Sequence, residues 1–149
     1  MNKKILLLLS FIVLYSCSYE PILIEKNFNF SFKNINASGE NKINDIIKRN
    51  LLNKSKGKKE YNIDFISFKN KEIISLDNSG NPNSYKLEIT VDYLIKGSGK
   101  TYNNSIKKQN VYNNIEDKFE LLKLEENINE SLSEMIADEI LISVSSLEK

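Results

Sequence analysis

From Phe28 onward apolar and polar residues alternate, with Phe28, Phe30 and Phe32 set between Asn29, Ser31 and Lys33. A repeat of two puts the three rings on one face of a strand, and packing into a core is the usual use of such a stripe. The repeat then changes. Ile43, Ile46, Ile47 and Leu51 recur at helical spacing, with Ser38 placed to cap that helix and Gly57 to end it. Tyr61, Ile63 and Phe65 alternate again, but the phase moves to Ile66 and Phe68. Such a slip predicts a bulge or bend in a long second strand. Ile74 and Leu76 carry that strand into DNSGNPN, residues 77–83, a run of turn-forming types.

The clearest strand is SYKLEITVDYLI. Tyr85, Leu87, Ile89, Val91, Tyr93 and Ile95 share one face, and Lys86, Glu88, Thr90 and Asp92 the other. Gly97-Ser98-Gly99-Lys100-Thr101 has the look of a phosphate-binding loop. That loop needs a further Gly five residues before Gly99, where Leu94 stands, and a helix after it. The residues that follow, YNNSIKKQNVY, carry no helical stripe, so GSGK reads as a hairpin turn. Tyr102 and Ile106 then open a more polar strand to about Tyr112. Asn114 to Asp117 resembles a capping box for the last element. There Leu124, Ile128, Leu132, Ile136, Ile140 and Val144 recur every four residues, joined by Leu121, Met135, Leu141 and Leu147. The order strand, helix, long strand, hairpin, strand, long helix predicts an α+β domain. Its mostly antiparallel four-stranded sheet packs against two helices in the order β-α-β-β-β-α.

Composition narrows the chemistry. The 149 residues suffice for one domain, and no internal repeat or second domain is visible. The chain has no His and a single Cys. Ser-His-Asp and Cys-His nucleophiles and multi-cysteine metal sites are thereby excluded, whereas carboxylate or Ser-Lys chemistry stays formally open. The expectation is a protein that is not an enzyme, with no metal and no dissociable cofactor.

The first residues address location. Lys3 and Lys4 precede an apolar run from Ile5 to Tyr15, and Ser16 leads into Cys17. This is the pattern of a signal peptide. At about 1.5 Å per residue the run covers roughly 16 Å, about half of a ~30 Å hydrocarbon layer, too short for a permanent span. Leu14-Tyr15-Ser16-Cys17 resembles the lipobox of bacterial lipoproteins, with Tyr15 a bulky departure. Cleavage between Ser16 and Cys17 would leave Cys17 carrying diacylglycerol and an N-acyl chain, enough to anchor a protein stably. Ser18 in place of Asp favours sorting to the outer membrane. The division expected is therefore a signal peptide at 1–16, a lipidated tether at 17–26 and one α+β domain at 27–149. Removing residues 1–16 takes away Lys3 and Lys4 and no acid, leaving 19 basic against 20 acidic side chains. Nucleic acid would find no basic footprint there, and Lys56, Lys58 and Lys59 read as a solvated helix end.

Lipobox and element order together resemble the LPS-assembly lipoprotein family, LptE, over nearly the whole chain. Cys17-Ser18-Tyr19-Glu20-Pro21 is similar to the family's Cys-Gly-aromatic-x-Pro start, with Ser18 where Gly is frequent. The hairpin SLDNSGNPNSYKLEITVDYLI, Val111-Tyr112-Asn113 before the last helix, and MIADEILISVSSL within it complete the likeness. The resemblance implies an outer-membrane lipoprotein on the periplasmic side that plugs and helps assemble a large β-barrel, LptD. The pair would place lipopolysaccharide in the outer leaflet, and direct contact with the lipid is among the roles it raises. Family members carry basic residues at the hairpin turn and early in the last helix, for the lipid phosphates. DNSGNPN has none; Lys118 and Lys123 match the helical half, and Lys86 and Lys96 are further candidates. The competing expectation is a periplasm-facing structural or tethering lipoprotein without lipid cargo.

Overall fold

The computed structural model describes residues 28–97 and 99–147; the signal peptide, Ser16, Cys17, the tether and Ser98 lie outside them. Strand β1 (Phe28–Gly39) is followed by helix α1 (Asn41–Lys54), strands β2 (Ser55–Leu76), β3 (Pro82–Gly97) and β4 (Lys100–Asn113), and helix α2 (Lys118–Ser146). The sheet order is β1-β2-β3-β4. β1 and β2 are parallel, and the β2–β3 and β3–β4 pairs are antiparallel. The predicted order and α+β class are observed, in a mixed sheet whose one parallel pair follows from the helical connection: adjacent parallel strands need a crossover, and α1 supplies it.

Both helices cover the face carrying Phe30, Phe32, Tyr61, Ile63, Phe65 and the Leu87-to-Ile95 stripe, all buried. Against these, α2 places Ile136, Ile140 and Val144 with no exposed surface. Burying each of these side chains contributes about 1.5–3 kcal/mol. Met135, expected on the same stripe, is 50 % exposed, because that helical row turns away from the sheet. Among the described residues the opposite sheet face has no second layer.

Several boundaries moved. Ser38 does not cap α1: it belongs to β1, and Glu40 occupies the cap position without a side-chain bond. Gly57 lies in β2, three residues beyond the helix end, where a Cβ would stand 1.9 Å from the Asn29 carbonyl carbon. That glycine permits close backbone approach where β1 and β2 begin. The last helix is capped by Asp117, whose carboxylate accepts from the Phe119 and Glu120 amides at 2.8 and 3.2 Å. Asn114, expected at the cap, instead donates from Nδ2 to the Pro82 carbonyl at 2.8 Å and ties β4 to the β2–β3 hairpin.

The predicted bulge after Phe65 is absent. Pairing of β2 with β3 runs unbroken from Asn62 to Ile73, and its irregularities fall between Ile73 and Leu76. The alternation simply continues through Ser67, which is 1 % exposed, while Ile66 and Phe68 occupy the uncovered face. Ser67 is accommodated because its hydroxyl donates to Asn44 Oδ1 at 2.7 Å and accepts from the Glu40 amide at 3.0 Å. Asn44 Nδ2 donates in turn to the Ser38 carbonyl at 3.1 Å. This closed polar cluster, with Gly39 at φ +93°, marks the point where the chain leaves the sheet for α1.

Candidate functional site

Among the described residues neither helix covers the outer face of the sheet. Its outward residues alternate with the core positions by the strand repeat alone. A shallow trough of about 740 Å³ crosses it, lined among others by Asn36, Ser38, Asp64, Ile66, Asp92 and Leu94. Amide side chains bridge neighbouring strands: Asn34 Nδ2 donates to Asn62 Oδ1 and Asn36 Nδ2 to Asp64 Oδ1, both at 2.7 Å. The Asn36 bond, with help from Lys96, holds the Asp64 carboxyl below its ordinary range.

Lys86 and Lys96 sit on this face and are both engaged. Lys86 Nζ lies 2.7 Å from Glu72, which raises the ammonium's pKa and lowers the carboxyl's. Lys96 Nζ lies 3.0 Å from Asp64, and Lys107 is 3.0 Å from Glu88. On this part of the face Asp64, Glu72 and Glu88 each hold one of Lys96, Lys86 and Lys107, and Asp92 adds a further carboxylate. An anion approaching these three lysines would meet ammoniums already paired with carboxylates, so they suit phosphate poorly.

Lys118 and Lys123 are exposed on the first turns of α2 and form no ion pair among the described residues. The four lysines do not converge. Lys86 and Lys96 are ten residues apart on one strand, about 33 Å at strand rise. Lys118 and Lys123 stand on the helical layer, across the sheet from both. Of the four, Lys118 and Lys123 are the ones without an ion pair among the described residues, and five residues apart they project about 140° from each other around α2. Among the described residues no group of three His, Cys, Asp or Glu side chains is placed to hold a metal, and no helix is long and apolar enough to cross a membrane.

A second feature escaped the sequence. Ile66, Phe68, Ile73, Ile74 and Leu76 are 36–59 % exposed, so the C-terminal part of β2 carries a concentration of uncovered apolar side chains. The signal was present as the apparent phase slip after Phe65. It marks apolar residues on both faces of one strand, a pattern that a local bulge imitates.

No family model matches the chain, and no curated protein does. Solved structures do. The rare lipoprotein B from Shewanella oneidensis is similar with a TM-score of 0.60 at 17 % identity, over 77 % of this chain and 96 % of that one. An uncharacterised lipoprotein B from Nitrosomonas europaea gives 0.61 at 15 % identity, over 84 % and 90 %. A minor lipoprotein from Acinetobacter baumannii gives 0.50 at 11 %, over 78 % and 94 %. The fold is therefore one found in bacterial lipoproteins.

Proposed function

We propose that this chain is an outer-membrane lipoprotein, anchored through acylated Cys17 on the periplasmic side. In this reading it plugs an LptD-type β-barrel, helps that barrel assemble, and assists insertion of lipopolysaccharide into the outer leaflet. One conjunction carries the reading: a β-α-β-β-β-α domain shared with bacterial lipoproteins follows closely on a lone cysteine that ends an apolar run. The work assigned is binding and placement, without covalent chemistry and without a cofactor beyond the lipid on Cys17. Of the four candidate lysines, Lys118 and Lys123 are the two without an ion pair among the described residues, and in this reading they meet lipid phosphates.

The test is a pull-down of C-terminally tagged protein from detergent-solubilised outer membranes, with partners identified by mass spectrometry. One large β-barrel at a one-to-one ratio is expected. A lone lipoprotein, or peptidoglycan-linked partners, would sink the plug reading.

A second reading, a structural or tethering lipoprotein without lipid cargo, is favoured by one observation. Lys86 and Lys96 are tied up in ion pairs, and the hairpin turn has no cation at all. Binding of purified lipid A separates the two. A tether binds it no better than a neutral phospholipid, whereas the translocon protein binds it more tightly and loses that preference in Lys118→Ala/Lys123→Ala.

A further inference from the structure

β1 pairs with β2 only as far as Gly39 opposite Ser67, and there the chain turns away into α1. Among the described residues β2 has no neighbour on that side from Phe68 to Leu76, and on its other side it pairs with β3 down to Pro82. Nine residues, about 30 Å at strand rise, thus form a bare margin in line with β1. Residues 68–74 are all exposed, and the stretch contains neither Pro nor Gly. Such a margin offers a row of backbone donors and acceptors that only another extended backbone satisfies in full.

Edge strands are commonly protected by charge; here Lys69 is exposed on the margin, while Lys71 and Glu72 are engaged within the chain. Lys71 Nζ reaches back to Glu125 of α2 at 2.5 Å and lies 4.2 Å over the Tyr85 ring. Glu72 is held by Lys86 and by Asn70 Nδ2 at 2.7 Å. The margin also presents Phe68 and Ile74 on one face of the sheet and Ile73 on the other, 47–55 % exposed. Of the eleven large apolar side chains exposed among the described residues, five lie between Ile66 and Leu76.

We infer that residues 68–76 of β2 receive an extended segment of the partner polypeptide as a further strand, in line with β1. This rests on the plug reading, which gives a single copy of this chain one β-barrel partner. Cleaved before Cys17, as that reading has it, the chain's own N-terminus is too short to lie along this margin. Residues 17–27 span at most about 40 Å, and they join β1 at Phe28, at the far end from Ser67. The middle of the margin lies roughly 50 Å from Phe28 along the sheet. The incoming strand would continue the ladder of β2 and cover Phe68, Ile73 and Ile74 with its own alternating apolar side chains.

Amide hydrogen exchange on the full-length lipoprotein, alone and in the purified complex with its barrel, tests this. In the complex, alternate amides between Lys69 and Ser75 should exchange on the order of 100-fold more slowly, with the free margin of β4 unchanged. A photoreactive residue replacing Asn70 should cross-link to the barrel. A complex that forms while the β2 margin exchanges as before overturns this inference and leaves the plug reading standing. Cross-links between two copies of the chain also overturn it, in favour of edge-to-edge self-association. If no barrel co-purifies, both readings fall together.

Discussion

Tyr112 shows how much one side chain settles here. Its ring stacks on Tyr85 across the β3–β4 pair, with centroids 5.6 Å apart, and its hydroxyl donates to Glu125 Oε1 at 2.8 Å. Glu125 also takes Lys71, so a single carboxylate joins α2, β2 and β4. Burial, then the bond to Glu125, pushes the Tyr112 phenol well above its ordinary value of 10.0. A raised folded-state pKa means the contribution is complete below pH 10 and is lost as pH climbs toward the folded value. Tyr112→Phe should therefore cost about 2 kcal/mol at pH 7, the worth of a hydrogen bond to a charged acceptor. It should also flatten the fall in stability above pH 10. Urea unfolding at pH 7 and pH 10.5 measures both; equal slopes for variant and wild type would refute the assignment. Ser67 and Asn44 show the limit at this scale. Their burial is invisible in a sequence where Ser and Asn read as turn or surface residues, since only the folded chain brings their hydroxyl and amide within 2.7 Å.

Elements of long and regular pattern were legible. α2 and β3 follow from repeats sustained over ten or more residues, where the hydrophobic signal outweighs any local exception. Element ends were less so, because caps depend on which of several competent side chains the backbone brings into range. Asn114 and Asp117 are both suitable N-caps, and tertiary contact with Pro82 takes Asn114 away from the helix. Asp117→Ala should accordingly destabilise the domain by about 1 kcal/mol, with fraying confined to the first turn of α2. Asn114→Ala should leave that turn intact and loosen the β4 junction with the hairpin. Amide exchange at Phe119 and Glu120 distinguishes them; equal acceleration in both variants would mean the cap is shared. β2 is the element whose local pattern says least about its surroundings. Its central part is buried on one face, while its end is uncovered on both. An apolar run on two faces is indistinguishable from a slipped phase until the neighbouring strand is seen to stop.

At the scale of the molecule, the described residues form a two-layer domain with its own core, and the proposed anchor at Cys17 lies eleven residues before Phe28. The core rests on strands and helices between Phe28 and Leu147, so folding does not need the lipid. Cys17→Ala should abolish acylation and release a folded domain with unchanged unfolding behaviour into the soluble periplasmic fraction. Fractionation followed by circular dichroism checks this. Retention of the variant on membranes after a salt wash would show that protein contact alone holds it there. The candidate lysines were nameable from residue type and position, but not their state. That Lys86 and Lys96 are neutralised depends on Glu72 and Asp64, their neighbours across the β2–β3 pair.

The amino-acid sequence by itself determined the element order, the core faces of β1, β3 and α2, and the expectation of an anchor at Cys17. Each is encoded by near neighbours along the chain, through a repeat or a short local pattern. Only the tertiary structure decided that the sheet is mixed, that one of its faces stays bare among the described residues, and that β2 outruns β1 by nine residues. Those features depend on which strands pair and where pairing stops. Such facts are set by contacts between residues far apart in the chain, and no local pattern carries them.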